Sequence, residues 1–153
     1  LDSDKKRRRG IIIISGLAAL GLGAWGWTHR RRIFVNDITT GENTAYPTLR
    51  SRVYYADVAA TMAAAEKAVK QMSRWKVRTR DAENDALEVE VKTPLGLFTD
   101  DVTLYFFPLG SGQTRVTIRS RSRVGGGDLG QNAAHIRELQ AAMDDRLNVG
   151  AAF

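Results

Sequence analysis

Arg115, Arg119, Arg121 and Arg123 run with mostly alternating spacing into Gly125, Gly126 and Gly127, and Asp128 follows. Guanidinium groups recognise carboxylates and phosphates through paired N–H donors, and a glycine-rich turn before a helix can offer backbone N–H groups to an anion. The spacing Gly125-x-Gly127-x-x-Gly130 also satisfies the dinucleotide fingerprint. That fingerprint requires a strand–helix–strand unit with an acidic residue closing a second parallel strand. Only 23 residues follow Gly130, and they read as one helix and a tail, so the dinucleotide reading fails on context. A turn from strand into helix, with Asp128 as the expected N-cap, is favoured over an anion site, because the Asp128 carboxylate would occupy the position a phosphate needs.

The rest of the chain offers little for catalysis. It contains no cysteine, which removes disulfides, thiolate metal sites and a cysteine nucleophile. The two histidines, His29 and His135, have no second ligand at metal-binding spacing. Asp100 and Asp101 are adjacent on a predicted strand and point to opposite faces, so they form no carboxylate dyad. Alternation sends Asp100 toward the apolar side, and it is expected at the rim or capping a turn. No catalytic residue, metal ligand or cofactor site is expected, and the chain reads as a non-enzyme.

The elements that would position the arginines follow from periodicity. Residues 51–55 form a short strand, and Asp57 caps a helix running to Ser73 with Val58, Met62, Ala65, Val69 and Met72 on one face. Four strands then alternate with period two, over 75–80, 87–92, 100–107 and 115–124, separated by turn-forming stretches. A last helix carries Ile136, Leu139, Met143 and Leu147 on its apolar stripe. The order strand–helix–four strands–helix gives an α+β fold, an antiparallel sheet with both helices on one face. The polar face then collects Arg115, Arg119, Arg121 and Arg123 with Lys76, Arg78, Arg80 and Lys92, against Glu88, Glu90 and Asp101. That is eight positive groups to three negative. Either the face is simply solvated, with Glu88 and Glu90 paired across strands, or its excess charge docks onto an acidic protein surface or anionic headgroups.

Before this domain, residues 5–9 read KKRRR, residues 11–27 are uncharged and mostly apolar, and residues 30–32 are three arginines. Seventeen residues make about 26 Å of helix, against a hydrocarbon core of roughly 30 Å. Trp25 and Trp27 lie where interfacial aromatics belong. A single transmembrane helix over 11–28 is therefore predicted, with Ser15, Ala19 and Gly23 as a small-residue stripe for helix packing. Residues 1–10 are a basic segment, 29–50 an irregular connection, 51–147 the α+β domain and 148–153 a tail. A net charge of +6 suits an anionic environment. Nucleic acid is not expected as a partner beside a membrane span.

VNDITT at 35–40, AYP at 45–47, TPLGLFTDDV at 93–102 and the stretch from Ser120 to Leu139 together resemble the family called domain of unknown function 1499. The resemblance covers residues 33–147. The family has no established activity, so it implies no catalytic residue. Some organellar members are regarded as accessory subunits of respiratory complex I, and plastid members exist. The resemblance thus implies a membrane-anchored accessory subunit of an organellar energy-converting complex, with mitochondrial complex I as the particular expectation. Its expected partners are other subunits and membrane lipids, and its expected place is an organellar inner membrane, with thylakoid or bacterial inner membrane as alternatives. The competing expectation is a membrane-tethered module binding an anion or lipid headgroup through the arginines and residues 125–127.

Overall fold

The computed structural model describes residues 35–42, 45–125, 129–147 and 149. Among these residues six strands and two helices follow in the order β1 (Asp37–Thr39), β2 (Arg52–Tyr54), α1 (Val58–Gln71), β3 (Trp75–Asp81), β4 (Ala86–Lys92), β5 (Thr99–Gly110), β6 (Gln113–Ser122) and α2 (Gln131–Asp144). All pairings are antiparallel, with β6, β5, β4 and β3 adjacent in that order. Both β1 and β2 pair with the outer edge of β6, at different points along it. The fold is α+β, as the alternation predicts, with one addition. Residues 37–39, inside the stretch read as an irregular connection, form a strand against Arg119–Arg121.

Local chemistry explains the boundaries. The Asp57 side chain accepts from the Ala60 N–H at 2.7 Å, which satisfies one of the free donors at the start of α1. The β3–β4 turn is tied by the Asp81 carboxylate, which accepts from the backbone of Glu83 and Asn84. Ser111 and Gly112 both hold positive φ, 52° and 69°, as a two-residue hairpin turn between β5 and β6 requires. The second helix departs from expectation. Its N-cap is Gly130, in left-handed backbone at φ 86° and with no side-chain cap, so the cap lies two residues beyond Asp128, itself outside the described residues.

One face of the sheet is covered and the other is not. Leu87, Val89, Val91, Val102, Leu104, Phe106, Val116 and Ile118 point inward and are buried. Met62, Ala65, Ala68 and Val69 from α1, and Ala133, Ile136, Leu139 and Met143 from α2, close over them in a single core. Removing so much apolar surface from water is the main stabilising term. The inward face of α2 is not wholly apolar, however. Asn132, His135 and Gln140 are also buried there.

Candidate functional site

The uncovered face carries the arginines, but with an altered membership. The pairing of β3 with β4 shifts between Val77 and Thr79, so that Thr79 faces Glu88 and Arg80 faces the buried Leu87. One extra residue in a strand reverses the sides of all that follow. Arg80 therefore leaves the polar face, where alternation put it, and turns to the helix side, where its Nη1 meets Glu66 Oε1 at 3.2 Å. The unforeseen β1 adds a carboxylate in return. Arg119 donates from Nε and Nη2 to the two oxygens of Asp37, at 2.9 and 2.6 Å.

Most of the remaining arginines on this face are already engaged. Arg123 donates to both oxygens of Asp101 and to Glu90 Oε1, the last at 2.6 Å. Arg78 lies 3.9 Å from Asp101, and the Arg115 guanidinium sits 4.8 Å from the centroid of the Phe107 ring. Hydrogen bonds from Arg119 hold Asp37 below the usual carboxylate range, and those from Arg123 do the same for Asp101 and Glu90. Arg121 is exposed between these pairs, with Asp37 and Asp101 as its neighbours across β1 and β5. The excess positive charge is smaller than the sequence count, because Arg119 and Arg123 are matched by carboxylates that hold them in place. A broad shallow depression lined by Asp37, Thr39, Glu42, Tyr105, Phe107, Thr117 and Arg119 opens on this face, with a volume of about 730 Å³.

At the opposite side of the sheet, near one end, two polar groups lie in the core that sequence reasoning did not bring together. Asp100 is 3% exposed and His135 is 1% exposed, and the His135 Nδ1 stands 3.7 Å from Asp100 Oδ2. Asp100 is thus inside rather than at the rim, and the two are 35 residues apart in the chain. Burial, with a smaller contribution from the Arg74 charge, lowers the His135 pKa to about 4, so the imidazole is neutral at pH 7. The nearby carboxylate does not reverse this. At 3.7 Å the contact is beyond hydrogen-bond reach, and neither ring nitrogen has a hydrogen-bond partner, so the cost of burying an imidazolium dominates. The Trp75 ring meets the imidazole edge-on, with centroids 5.7 Å apart. The signal for this pair was the placement of Asn132, His135 and Leu139 on one helical stripe, which marks the histidine as facing the core.

Asn132 ties this end together. Its Oδ1 accepts from the Ser120 hydroxyl at 2.6 Å, and its Nδ2 donates to the Asn36 carbonyl at 3.0 Å and to Ser122 Oγ at 3.1 Å. Asn36 in turn donates from its side chain to the Gly125 carbonyl at 2.8 Å. Beside this network a cleft of about 500 Å³ opens between the β4–β5 turn and the β6–α2 loop, with Asp100 and Ser122 among its lining residues and Leu95, Leu97, Phe98, Val124 and Leu129 around them. Of the glycine run, Gly125 holds φ 96°, while Gly126, Gly127 and Asp128 lie outside the described residues. The neighbouring Arg123 is already shared between Asp101 and Glu90, which leaves little of its guanidinium for an added anion.

Among the described residues no group of three or more His, Cys, Asp or Glu side chains is placed to hold a metal ion. No helix among them is long and apolar enough to cross a membrane. The predicted span over 11–28, with Ser15, Ala19 and Gly23, lies outside the described residues.

One antiparallel sheet, backed on one face by two helices and bearing ordered ion pairs on the other, defines the domain. The chain belongs to the protein family of unknown function DUF1499, which it matches over residues 33–143. Of the stretches that carried the resemblance, 93–102 and 120–139, with Asn36 from 35–40, gather around the cleft and the Asn132 network. No curated protein matches the chain. Among solved structures it is similar to the di-domain ARO/CYC StfQ from the steffimycin biosynthetic pathway, at 12% identity and a TM-score of 0.45, over 72% of this chain and 44% of that one. The chain therefore spans less than half the length of StfQ. It is also similar to protein CV1439 from Chromobacterium violaceum, at 12% identity and a TM-score of 0.40, over 73% of this chain and 96% of that one. For TTHA0849 from Thermus thermophilus the identity is 15% and the TM-score 0.40, over 72% of this chain and 95% of that one.

Proposed function

We propose that the chain is a membrane-anchored accessory subunit, without a catalytic role of its own, of an organellar energy-converting membrane complex, with mitochondrial respiratory complex I as the particular assignment. The observation that carries the proposal is the uncovered sheet face, where Asp37 holds Arg119 in position and Asp101 and Glu90 hold Arg123. Side chains already fixed by such pairs lose less freedom on docking, and a face of mixed sign with Tyr105 and Phe107 in it suits a protein surface better than a uniformly anionic one. The anchor is the apolar run at 11–28, with the stripe Ser15, Ala19 and Gly23 for packing against a neighbouring helix. The neutral, buried His135 supports the non-catalytic reading, since it is closed off from a dissolved substrate.

Native-gel separation of mildly solubilised membranes, with the chain followed by mass spectrometry, tests this reading. Migration with a high-mass complex that persists in moderate salt is expected, and replacing Arg119 and Arg121 together by Glu weakens it. Migration at the mass of a monomer overturns the subunit assignment.

A further inference from the structure

The apolar tip of the domain has no role in the docking face. Leu95, Leu97 and Phe98 on the β4–β5 turn, with Val124 and Leu129 on the β6–α2 loop, surround the mouth of the cleft, each between 52% and 82% exposed. Single exposed apolar side chains are ordinary, but five large ones gathered at one tip mark contact with something other than water. Leu129 holds its place in left-handed backbone, φ 54°, a conformation that disfavours a β-carbon and that Gly or Asn would adopt more easily. A leucine there is kept at a conformational cost.

The path of the chain says what the tip meets. Asn36, at the entry to β1, donates to the Gly125 carbonyl and accepts from Ser122 and Asn132, so the chain enters the domain beside this tip. Only residues 28–34 separate Trp27, the end of the apolar run, from Val35. Fully extended, they reach about 28 Å. Arg30, Arg31 and Arg32 lie within that connection. Lys92 stands at the same end of the sheet with Arg74, whose side chain donates to the Lys92 carbonyl at 3.0 Å and also meets Glu138 Oε2 at 3.5 Å, so that Lys92 and the three arginines of the connection are the main cations there. Apolar side chains flanked by cations, on a short tether to a membrane span, match the chemistry of an anionic bilayer surface.

We propose that this tip, carried by Leu95, Leu97, Phe98, Val124 and Leu129, dips into the interfacial layer of the bilayer that holds the anchor, giving the domain a second and reversible contact with lipid. The inference rests on the membrane-anchored reading above. It fixes the orientation of the domain, with the β4–β5 turn toward the membrane and the β5–β6 turn away from it.

The chain has no cysteine, so single replacements Leu97→Cys, Leu129→Cys and Leu109→Cys each take one nitroxide label. Leu109 lies by the β5–β6 turn, at the far end of the hairpin. The full chain is reconstituted into phosphatidylcholine–phosphatidylglycerol vesicles, its flotation with them is measured, and label collisions with oxygen and with a water-soluble nickel chelate are compared. The expected result is flotation together with an oxygen-to-nickel ratio several-fold higher at 97 and 129 than at 109. Flotation with equal ratios at all three positions overturns the tip proposal and leaves the anchor standing. A chain that does not float overturns the anchor and the tip contact together.

Discussion

The buried imidazole of His135 makes the stability of this fold depend on pH in a way that isolates one residue. In the unfolded chain a histidine takes up its proton near pH 6.5, whereas in the fold His135 does so only near pH 4. Between those values the unfolded state binds more protons, so stability is full above about pH 6.5, falls as the pH drops and levels off below about pH 4. At about 1.4 kcal/mol for each pH unit of difference, the loss from this group is about 2 kcal/mol between pH 7 and pH 5 and about 3 kcal/mol in total. That is a large share of the roughly 5–15 kcal/mol typical of a domain. Urea unfolding of the full chain in mild detergent, followed by far-ultraviolet circular dichroism at pH 7, 6 and 5, measures it. Arginine holds the carboxylates of Asp37, Glu90 and Asp101 below their usual range, which moves their titration away from this window. The variant His135→Gln is expected to lose the slope between pH 7 and 5, whatever its stability at pH 7. A wild-type stability that stays flat or rises toward pH 5 refutes the reasoning, because Asp100 would then be holding a proton on the imidazole.

Three further substitutions probe other parts of the argument. Asp57→Ala removes the side-chain acceptor at the start of α1 and lowers stability by about 1 kcal/mol in the same denaturation assay. Asn132→Ala strips Ser120, Ser122 and the Asn36 carbonyl of a shared partner inside the protein, and a loss of about 3 kcal/mol is expected, with faster amide exchange at Ser122. Asp37→Asn breaks an ion pair that is more than a third exposed, so the stability change stays below about 1 kcal/mol, while migration with a high-mass complex on native gels becomes more sensitive to salt.

How much of this was legible in the sequence depended on how local each feature is. In β4, β5 and β6 the alternation fixed which side chains face the core, because period-two patterning is a property of the strand itself. The cap at Asp57 was equally local. Strand β1 was not visible, since three residues of Asp-Ile-Thr carry no pattern and owe their conformation to β6 and to Arg119. The side taken by Arg80 depends on a register shift that appears only when β3 is laid against β4. Alternation in β6 is enough to put Arg115, Arg119 and Arg121 on one side of the sheet, but their ion pairing required knowing which carboxylates lie across it. The Asp100–His135 contact joins a strand start to a helix 35 residues later, and no spacing rule connects them. Asp100 is a charged residue at an inward position of its strand, and that anomaly was the visible trace of the buried site.

The shifted register in β3 also bears on how this chain can associate. With β1 and β2 laid along β6, the backbone of β3 is the long open margin of the sheet. Such a margin invites another strand to add to it, and uncontrolled addition leads to aggregates. Here the bulge interrupts the regular ladder at mid-strand, and Lys76, Arg78 and Arg80 follow one another at every second residue. A second copy pairing in antiparallel register about Arg78 would set the two copies of Arg78 against each other along a broken row of hydrogen bonds. Growth of the sheet from chain to chain is thereby discouraged.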